Sequence, residues 1–274
     1  MFSIIIPSKS YLPLKYCLLS LSMQHYDLFE AIISISTDDK KEIEKIESEA
    51  LKHKFCKTVR ANIKNNRSSA RNAGILSASS DILFFIDEDM LLNPMFMSRL
   101  FTATSDVHLH NFVINASRSE LEPSWARRLL MGEISDNDIK SFLSEYNESY
   151  YYEWDRSIKW ADDNEWNFFY SNNICVSKSF VDNNDLYFDE KFNGWGEEDV
   201  DWIYRAKLNN AKIGRYENKC WHINHPFVAS ERKESYRKNV EYMVEKHPGI
   251  LSYRGEWYQE CGIDFGLRHK KVKE

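Results

Sequence analysis

Long apolar runs are missing from this 274-residue chain, and no stretch approaches the roughly 20 consecutive apolar residues that a bilayer-spanning helix needs. The apolar start, Phe2-Ser3-Ile4-Ile5-Ile6-Pro7, is too short for a secretory core and has no basic segment before it. It is expected to be the first strand of the fold. Paired cysteines are also missing. Cys17, Cys56, Cys175, Cys220 and Cys261 are odd in number and scattered, with no C-x-x-C pair, which argues against a disulfide framework, a metal knuckle or a redox motif and for reduced thiols in a cytosol. Positive charge is not in excess: 36 Lys and Arg stand against 42 Asp and Glu, a net charge of −6, whereas a surface that neutralises nucleic-acid phosphates is basic. Repeats and low-complexity linkers do not occur, and 43% hydrophobic with 28% charged residues excludes a largely disordered or collagen-like chain. These absences leave one ordinary globular domain of two halves, cytoplasmic, with peripheral contact at the inner face of a membrane as the only membrane role.

What is present is an α/β rhythm. Phe2 to Pro7, Ala31 to Ile35 and Ile82 to Ile86 are short runs rich in Ile and Phe, separated by longer segments of helical spacing, the pattern of parallel strands covered by helices. Leu14, Leu18, Leu19 and Leu21 fit a helix on the sheet, Ile43, Ile46 and Ala50 fit a second, and Arg67 to Ser79 fits a third whose Ala70, Ala73 and Ile75-Leu76 face permits close packing. From about Asn137 to Phe169 the composition turns aromatic and acidic, which reads as an insertion over a cleft that binds sugars by ring stacking or packs on the core. Beyond it come a strand candidate, Ile174 to Val176, a helix from Glu197 to Leu208 with Val200, Ile203, Tyr204 and Leu208 facing inward, and a tail from Glu231 that is helical at first and ends basic, Arg268 to Lys273.

Two acidic constellations carry chemistry. Phe84-Phe85-Ile86-Asp87-Glu88-Asp89 sets acids directly after a buried strand, and in open parallel sheets ligands bind beyond the carboxyl ends of strands. Hard Mn²⁺ or Mg²⁺ prefers carboxylate oxygens, although a lone D-x-D is more often a solvated turn. Upstream, Asn66-Arg67-Ser68-Ser69-Ala70-Arg71-Asn72-Ala73-Gly74 opens a helix, and helix starts and guanidinium groups both suit phosphate. The second constellation is Asn193-Gly194-Trp195-Gly196-Glu197-Glu198-Asp199, in which glycines allow close backbone approach, an indole can lie on a sugar face and acids open a helix. Acids there also suit a helix start electrostatically, and Asp201 can pair with Arg205.

Ile4-Ile5-Ile6-Pro7, Ala70-Arg71-Asn72-Ala73-Gly74 and Phe85-Ile86-Asp87-Glu88-Asp89, in that order over about ninety residues, resemble the nucleotide-binding half of family 2 glycosyltransferases of the GT-A fold. Gly194 to Asp199 resembles the Gly-Trp-Gly-x-Glu-Asp element of β-1,4-galactosyltransferases and bacterial chondroitin polymerases. The resemblance implies a GT-A, Rossmann-like α/β fold with a mostly parallel sheet flanked by helices. It divides the chain into a nucleotide-binding half (1–105), a variable aromatic insertion (106–171), an acceptor and catalytic half (172–227) and a C-terminal helical tail (228–274). It implies an inverting, metal-dependent transfer of a hexose or N-acetylhexosamine, galactose or N-acetylgalactosamine favoured, from a UDP-sugar to a glycan, peptide or protein hydroxyl. Asp199 is then the general base and Glu198 a holder of donor or acceptor sugar. Asp89 and Asp87 are metal ligands for Mn²⁺ or Mg²⁺, with His222 completing the shell and His225 in reserve, because spacing alone does not decide between them. Pro7, Ser8, Ser36, Asp38, Arg67, Arg71, Asp87, Glu88, Trp195 and Gly196 fall to the donor. Arg71 is the weaker of these, since arginine on a surface helix is usually solvated. Ser36 stands where many relatives carry an acid, with Asp38 shortly after it. The rivals are a nucleotidyltransferase, whose glycine-rich phosphate loop Ile6-Pro7-Ser8-Lys9-Ser10 does not supply, and a non-catalytic glycan-binding scaffold of the same fold.

Overall fold

The run Phe2 to Ser8 is rich in Ile, and a strand with apolar residues on both faces must be covered on both faces. In the computed structural model, which describes residues 1–105, 107, 110–149, 159–160, 166, 171–225 and 229–263, this run is β1 (Phe2–Ser8), inside the sheet. Ile4 and Ile6 enter one core cluster and Ile5 enters another on the opposite face, all fully buried. Each such side chain contributes on the order of 2 kcal/mol.

The elements follow as α1 (Tyr11–Ser22), β2 (Phe29–Ile35), α2 (Lys40–Ala50), β3 (Cys56–Arg60), α3 (Arg67–Ser77), β4 (Ile82–Ile86), β5 (Met90–Leu92), α4 (Phe96–Ser105), β6 (Phe112–Glu120), α5 (Pro123–Leu130), α6 (Asp136–Ser149), β7 (Lys159–Trp160), β8 (Asn173–Ser177), α7 (Lys178–Asn183), α8 (Glu198–Leu208), β9 (Lys212–His222), α9 (Ala229–Lys246) and α10 (Leu251–Glu260). The sheet runs β3-β2-β1-β4-β8-β6-β9-β5, with β7 also on β9. β3, β2, β1 and β4 are mutually parallel, as the spacing of the apolar runs predicts for β1, β2 and β4, with β3 added at the edge. The second half is mixed: β8 is antiparallel to β4 and β6, β9 is parallel to β6, and β5 and β7 are antiparallel to β9. Because β2 and β4 flank β1 on opposite sides, the strand order reverses at β1, and the crevice beyond Ser8 and Ile86 is where such sheets take ligands.

Helices α1, α2 and α4 pack on one face, through residues such as Leu14, Ile46 and Leu100, and α3, α8, α9 and α10 on the other, through Ile75, Trp202, Val240 and Tyr258. The close packing expected of α3 is real: a Cβ on Gly74 would collide with the Ile5 side chain of β1. Asn66 caps α3 by accepting from Ser69 N at 2.8 Å, and its amide donates to the carbonyls of Glu190 (2.9 Å) and Phe192 (3.1 Å). Asn72 clasps Phe188 at both backbone groups, accepting from N at 2.8 Å and donating to O at 2.9 Å. One helix thus fixes the segment that leads into the second constellation.

Two details differ from the sequence reading. Leu208 is 60% exposed, because the packed side of the last turn of α8 is taken by Lys207, whose ammonium lies 5.6 Å from the Trp166 ring and 5.0 Å from that of Tyr253. Leu76 is likewise exposed, α3 burying Ala70, Gly74 and Ile75 instead. Of the aromatic stretch, Trp166 is buried against Tyr204 and Tyr253, and Ile139 and Leu143 of α6 join a third cluster with Tyr16, Leu129 and Trp221. Most of that stretch, including 150–158, and the basic end 268–273 lie outside the described residues. Among the described residues no helix is long and apolar enough to cross a membrane.

Candidate active site

Strand register assembles the first group. Asp89 immediately precedes β5, whose Met90 pairs with His222 at the end of β9, and Ile223 N donates to Asp89 O at 2.8 Å. On the other side of β9, β6 brings Glu120 into register with His222. The outcome is a chain of contacts. His222 Nε2 and His225 Nε2 lie 3.3 and 3.4 Å from Asp89 Oδ2, and His222 Nδ1 lies 2.7 Å from Glu120 Oε2. Burial alone would raise the Asp89 carboxyl pKa, but the two imidazoles outweigh it and hold that group well below the usual carboxylate range. His222 moves the other way: burial lowers its pKa, yet Asp89 and Glu120 together raise it. The second carboxylate oxygen, Asp89 Oδ1, is buried with no hydrogen-bond partner among the described residues. Ligand atoms of Asp89, His222 and His225 all come within 4.8 Å of one another, a mixed carboxylate and imidazole set suited to a divalent transition ion. Both histidines, and not His222 alone, stand in this group. Glu120, holding the outer nitrogen of His222, is an orienting partner of the kind that metal-site histidines have.

Asp87 stands apart from that group. Its Oδ1 lies 3.2 Å from Arg71 Nη2, and Arg71 Nη1 lies 3.3 Å from Glu198 Oε1. Arg71 is only 2% exposed and is the link between the two constellations; it is not the solvated arginine expected of a surface helix, because Asp87, the Phe188 ring at 5.2 Å and Glu198 at the start of α8 surround its guanidinium. Glu88 lines the larger lobe of the crevice beyond β1 and also has partners within the protein. Its Oε2 accepts from Ser8 Oγ at 2.7 Å and from the Lys9 and Ser10 amides at 3.0 Å each, so it fastens the loop after β1. Burial pushes its pKa up to about 7 in spite of those donors.

Helix α8 opens at Glu198 behind two left-handed residues, Gly196 at φ +94° and Glu197 at φ +70°. Asp199 is half-buried in the first turn and accepts from Val200 N at 2.9 Å. Burial first, then the charges of Glu198 and Glu197, push its pKa up to about 7, with Arg71 opposing. That is where a carboxylate can take a proton at neutral pH. Trp195 offers less free ring than the sequence suggests, since the Arg232 guanidinium lies 4.0 Å from its centroid and Tyr236 packs at 5.2 Å.

Asp87, Asp89, Glu198, Asp199, His222 and His225 all line one cavity of about 320 Å³. A neighbouring lobe of about 750 Å³ shares Arg67, Asp89, Trp195, His225 and Arg232 with it and reaches Ser10, Ser36 and Glu88 at the crevice beyond β1. Pro7 and Ser8 are not in the lining of either cavity, and Ser8 meets it through Glu88. Asp38 lies outside it altogether: it faces solvent and pairs with Lys64 at 2.9 Å. The sequence reading missed Arg118, Arg232, Tyr236, Arg254 and Trp257, which also line the smaller cavity. Nothing local marks them, because β6, α9 and α10 reach the site only through the tertiary fold. The arrangement brings a carboxylate and imidazole cluster and a carboxyl group held near neutrality onto one cavity that adjoins a larger lobe.

The chain matches the family model "Glycosyl transferase family 2" over residues 3–162. It is 27% identical to a hyaluronan synthase of Pasteurella multocida over 207 residues, covering 67% of this chain and 20% of that relative, so it spans about a fifth of the relative's length. Its fold is similar to S. aureus TarS 1–349 (TM-score 0.60, 14% identity, 99% of this chain and 75% of that one). The same protein in complex with UDP-GlcNAc gives a TM-score of 0.59 at 17% identity, over 99% and 76%. The mannosyltransferase PcManGT from Pyrobaculum calidifontis, in complex with GDP-Man and Mn²⁺, gives 0.61 at 13% identity, over 94% and 69%. With the family model matched over more than half of its length, and the fold shared with these structures, the chain belongs to glycosyl transferase family 2.

Proposed function

We propose that the chain is a metal-dependent, inverting glycosyltransferase that moves a hexose or N-acetylhexosamine, with galactose or N-acetylgalactosamine favoured, from a UDP-sugar to a hydroxyl of a glycan under assembly at the cytosolic face of a membrane. One observation carries this reading: Asp89, set between two imidazoles, and Asp199, held near neutrality, open onto the same cavity. Asp89, His222 and His225 have the donor chemistry for Mn²⁺ in preference to Mg²⁺, and the unpartnered Oδ1 of Asp89 fits an occupant there. A bound ion of this kind supplies charge neutralisation for a departing diphosphate. Asp199 receives the proton of the acceptor hydroxyl while that oxygen bonds to the anomeric carbon. The bond from this carbon to the diphosphate oxygen breaks on the opposite face, and its electron pair leaves with UDP. A single displacement of this kind inverts the anomeric configuration. Arg71 holds Asp87 and Glu198 beside the reacting centre, and Arg67, 3.8 Å from Glu198, stands where the two lobes join and can meet phosphate.

The likeness of Gly194 to Asp199 to the galactosyltransferase-type element supports the choice of sugar, and the UDP-GlcNAc bound to TarS and the Mn²⁺ bound to PcManGT support a nucleotide sugar and a metal. A thermal-shift panel tests the reading. UDP-galactose, UDP-N-acetylgalactosamine, UDP-glucose, UDP-N-acetylglucosamine and GDP-mannose are compared with Mn²⁺ and with EDTA, since a ligand bound to the native state raises its Tm. A UDP-sugar is expected to raise Tm with Mn²⁺ only. Equal stabilisation in EDTA, or by GDP-mannose alone, contradicts the proposal.

A further inference from the structure

Glu197 occupies a position that its backbone gives no reason to fill with glutamate. Positive φ suits glycine, and Gly194 and Gly196 beside it, at +78° and +94°, are glycines. A glutamate at +70° is strained, so its retention has to be sought in the side chain. That side chain is almost fully buried. Its Oε1 accepts from Arg254 Nη2 at 3.1 Å and its Oε2 from the Tyr258 hydroxyl at 2.7 Å, both donors standing on α10, more than fifty residues away in sequence. Helix α9 grips the same loop. A Cβ on Gly196 would come within 2.7 Å of the Tyr236 ring, and Asn239 Nδ2 donates to the carbonyls of Asn193 (3.1 Å), Trp195 (3.3 Å) and Gly196 (2.8 Å). Tyr236 is in turn tied to α10, its hydroxyl accepting from Trp257 Nε1 at 3.0 Å. The backbone that delivers Glu198 and Asp199 to the cleft is therefore shaped by helices that lie beyond the residues matched by the family model.

We infer that Glu197 is a positioning residue: its lock with Arg254 and Tyr258 lets α10 hold the turn before α8 in its left-handed form and so aims Glu198 and Asp199 into the cavity. This deepens the proposed function and rests on its reading of Asp199 as the base. A purely structural Glu197 makes a different forecast, because glycine is relaxed at φ +70° and would serve the backbone at least as well.

The test uses the full chain and its Mn²⁺-dependent hydrolysis of the UDP-sugar that gives the largest thermal shift, assayed without added acceptor well below every variant's Tm. Glu197→Gly is expected to lose about a hundredfold in kcat with KM for the UDP-sugar within about twofold, the signature of misplaced groups rather than lost binding. Tyr258→Phe removes one donor and is expected to lose about tenfold, and Glu197→Gln, which still accepts at one oxygen, is expected to recover part of the activity. Wild-type kcat in Glu197→Gly, or losses that follow Tm alone, overturn the inference. If wild-type protein turns over no UDP-sugar, the proposed function fails and the lock is judged by amide exchange. Glu197→Gly and Tyr258→Phe should then raise exchange about tenfold or more at residues 196–201 relative to the sheet, and unchanged exchange there overturns the lock.

Discussion

Asp199 sits where two electrostatic effects disagree. The first turn of a helix favours an ionised carboxylate, which weakens a base, whereas burial and neighbouring negative charge favour the protonated form. Burial and the charges of Glu198 and Glu197 win over Arg71, and the pKa rises to about 7. The sign fixes a pH dependence. Below that pH Asp199 already holds a proton and cannot accept another, so its active fraction falls about tenfold for each pH unit. We expect kcat to climb with unit slope from pH 5 and to level near pH 7, and a profile flat from pH 5 to 8 would remove Asp199 as the base. At this scale the sequence points to Asp89, which follows a strand, and to Glu198 and Asp199, which open a helix, while His222 is indicated only by the family resemblance. It does not show their partners. Arg71 looks like a surface cation until Asp87, Phe188 and Glu198 enclose it, and Glu120 becomes a partner of His222 only through the register of β6 on β9.

Among the elements, β1, β2, β4 and the helices between them are legible because runs of Ile and Phe on a twice-covered strand contrast strongly with helical spacing. β3 is short and half-exposed, and β6 and β9 mix apolar with charged residues, so neither period stands out. Asp38 was misread for a related reason: position after β2 suggests a ligand, but the chain has already turned to solvent as Asp39 caps α2, accepting from Lys41 N at 2.9 Å. The small face of α3 packs through Ala70, Gly74 and Ile75, not through Leu76, and leads to a stability prediction. Gly74→Ala should gain roughly 1 kcal/mol of helix propensity. The added methyl, however, meets fully buried Ile5, and overpacking of this kind costs about 1–3 kcal/mol. A net loss of up to about 2 kcal/mol is expected from urea unfolding. A gain in stability would mean that α3 does not press on β1 as described.

In the whole molecule, the parallel half supplies the crevice at the reversal of strand order, and the mixed half turns β9 back so that His222 meets Asp89. Helix α3 joins the halves through Arg71, and the C-terminal helices close the cleft from the far side. Charge is divided inside this single cleft: Asp89 and its imidazoles form one pole, and Asp199 with Glu198 the other. The division predicts that the two poles can be switched off separately. The measurement that tests this most directly compares Asp199→Asn and Asp89→Asn for turnover of a UDP-sugar and for Mn²⁺-dependent binding of UDP by calorimetry. Asp199→Asn should lose about a thousandfold in turnover with UDP affinity within about threefold of wild type, whereas Asp89→Asn should lose both turnover and the Mn²⁺ dependence of binding. Wild-type turnover in Asp199→Asn, or UDP binding by Asp89→Asn that still depends on Mn²⁺ as in the wild type, would contradict the account.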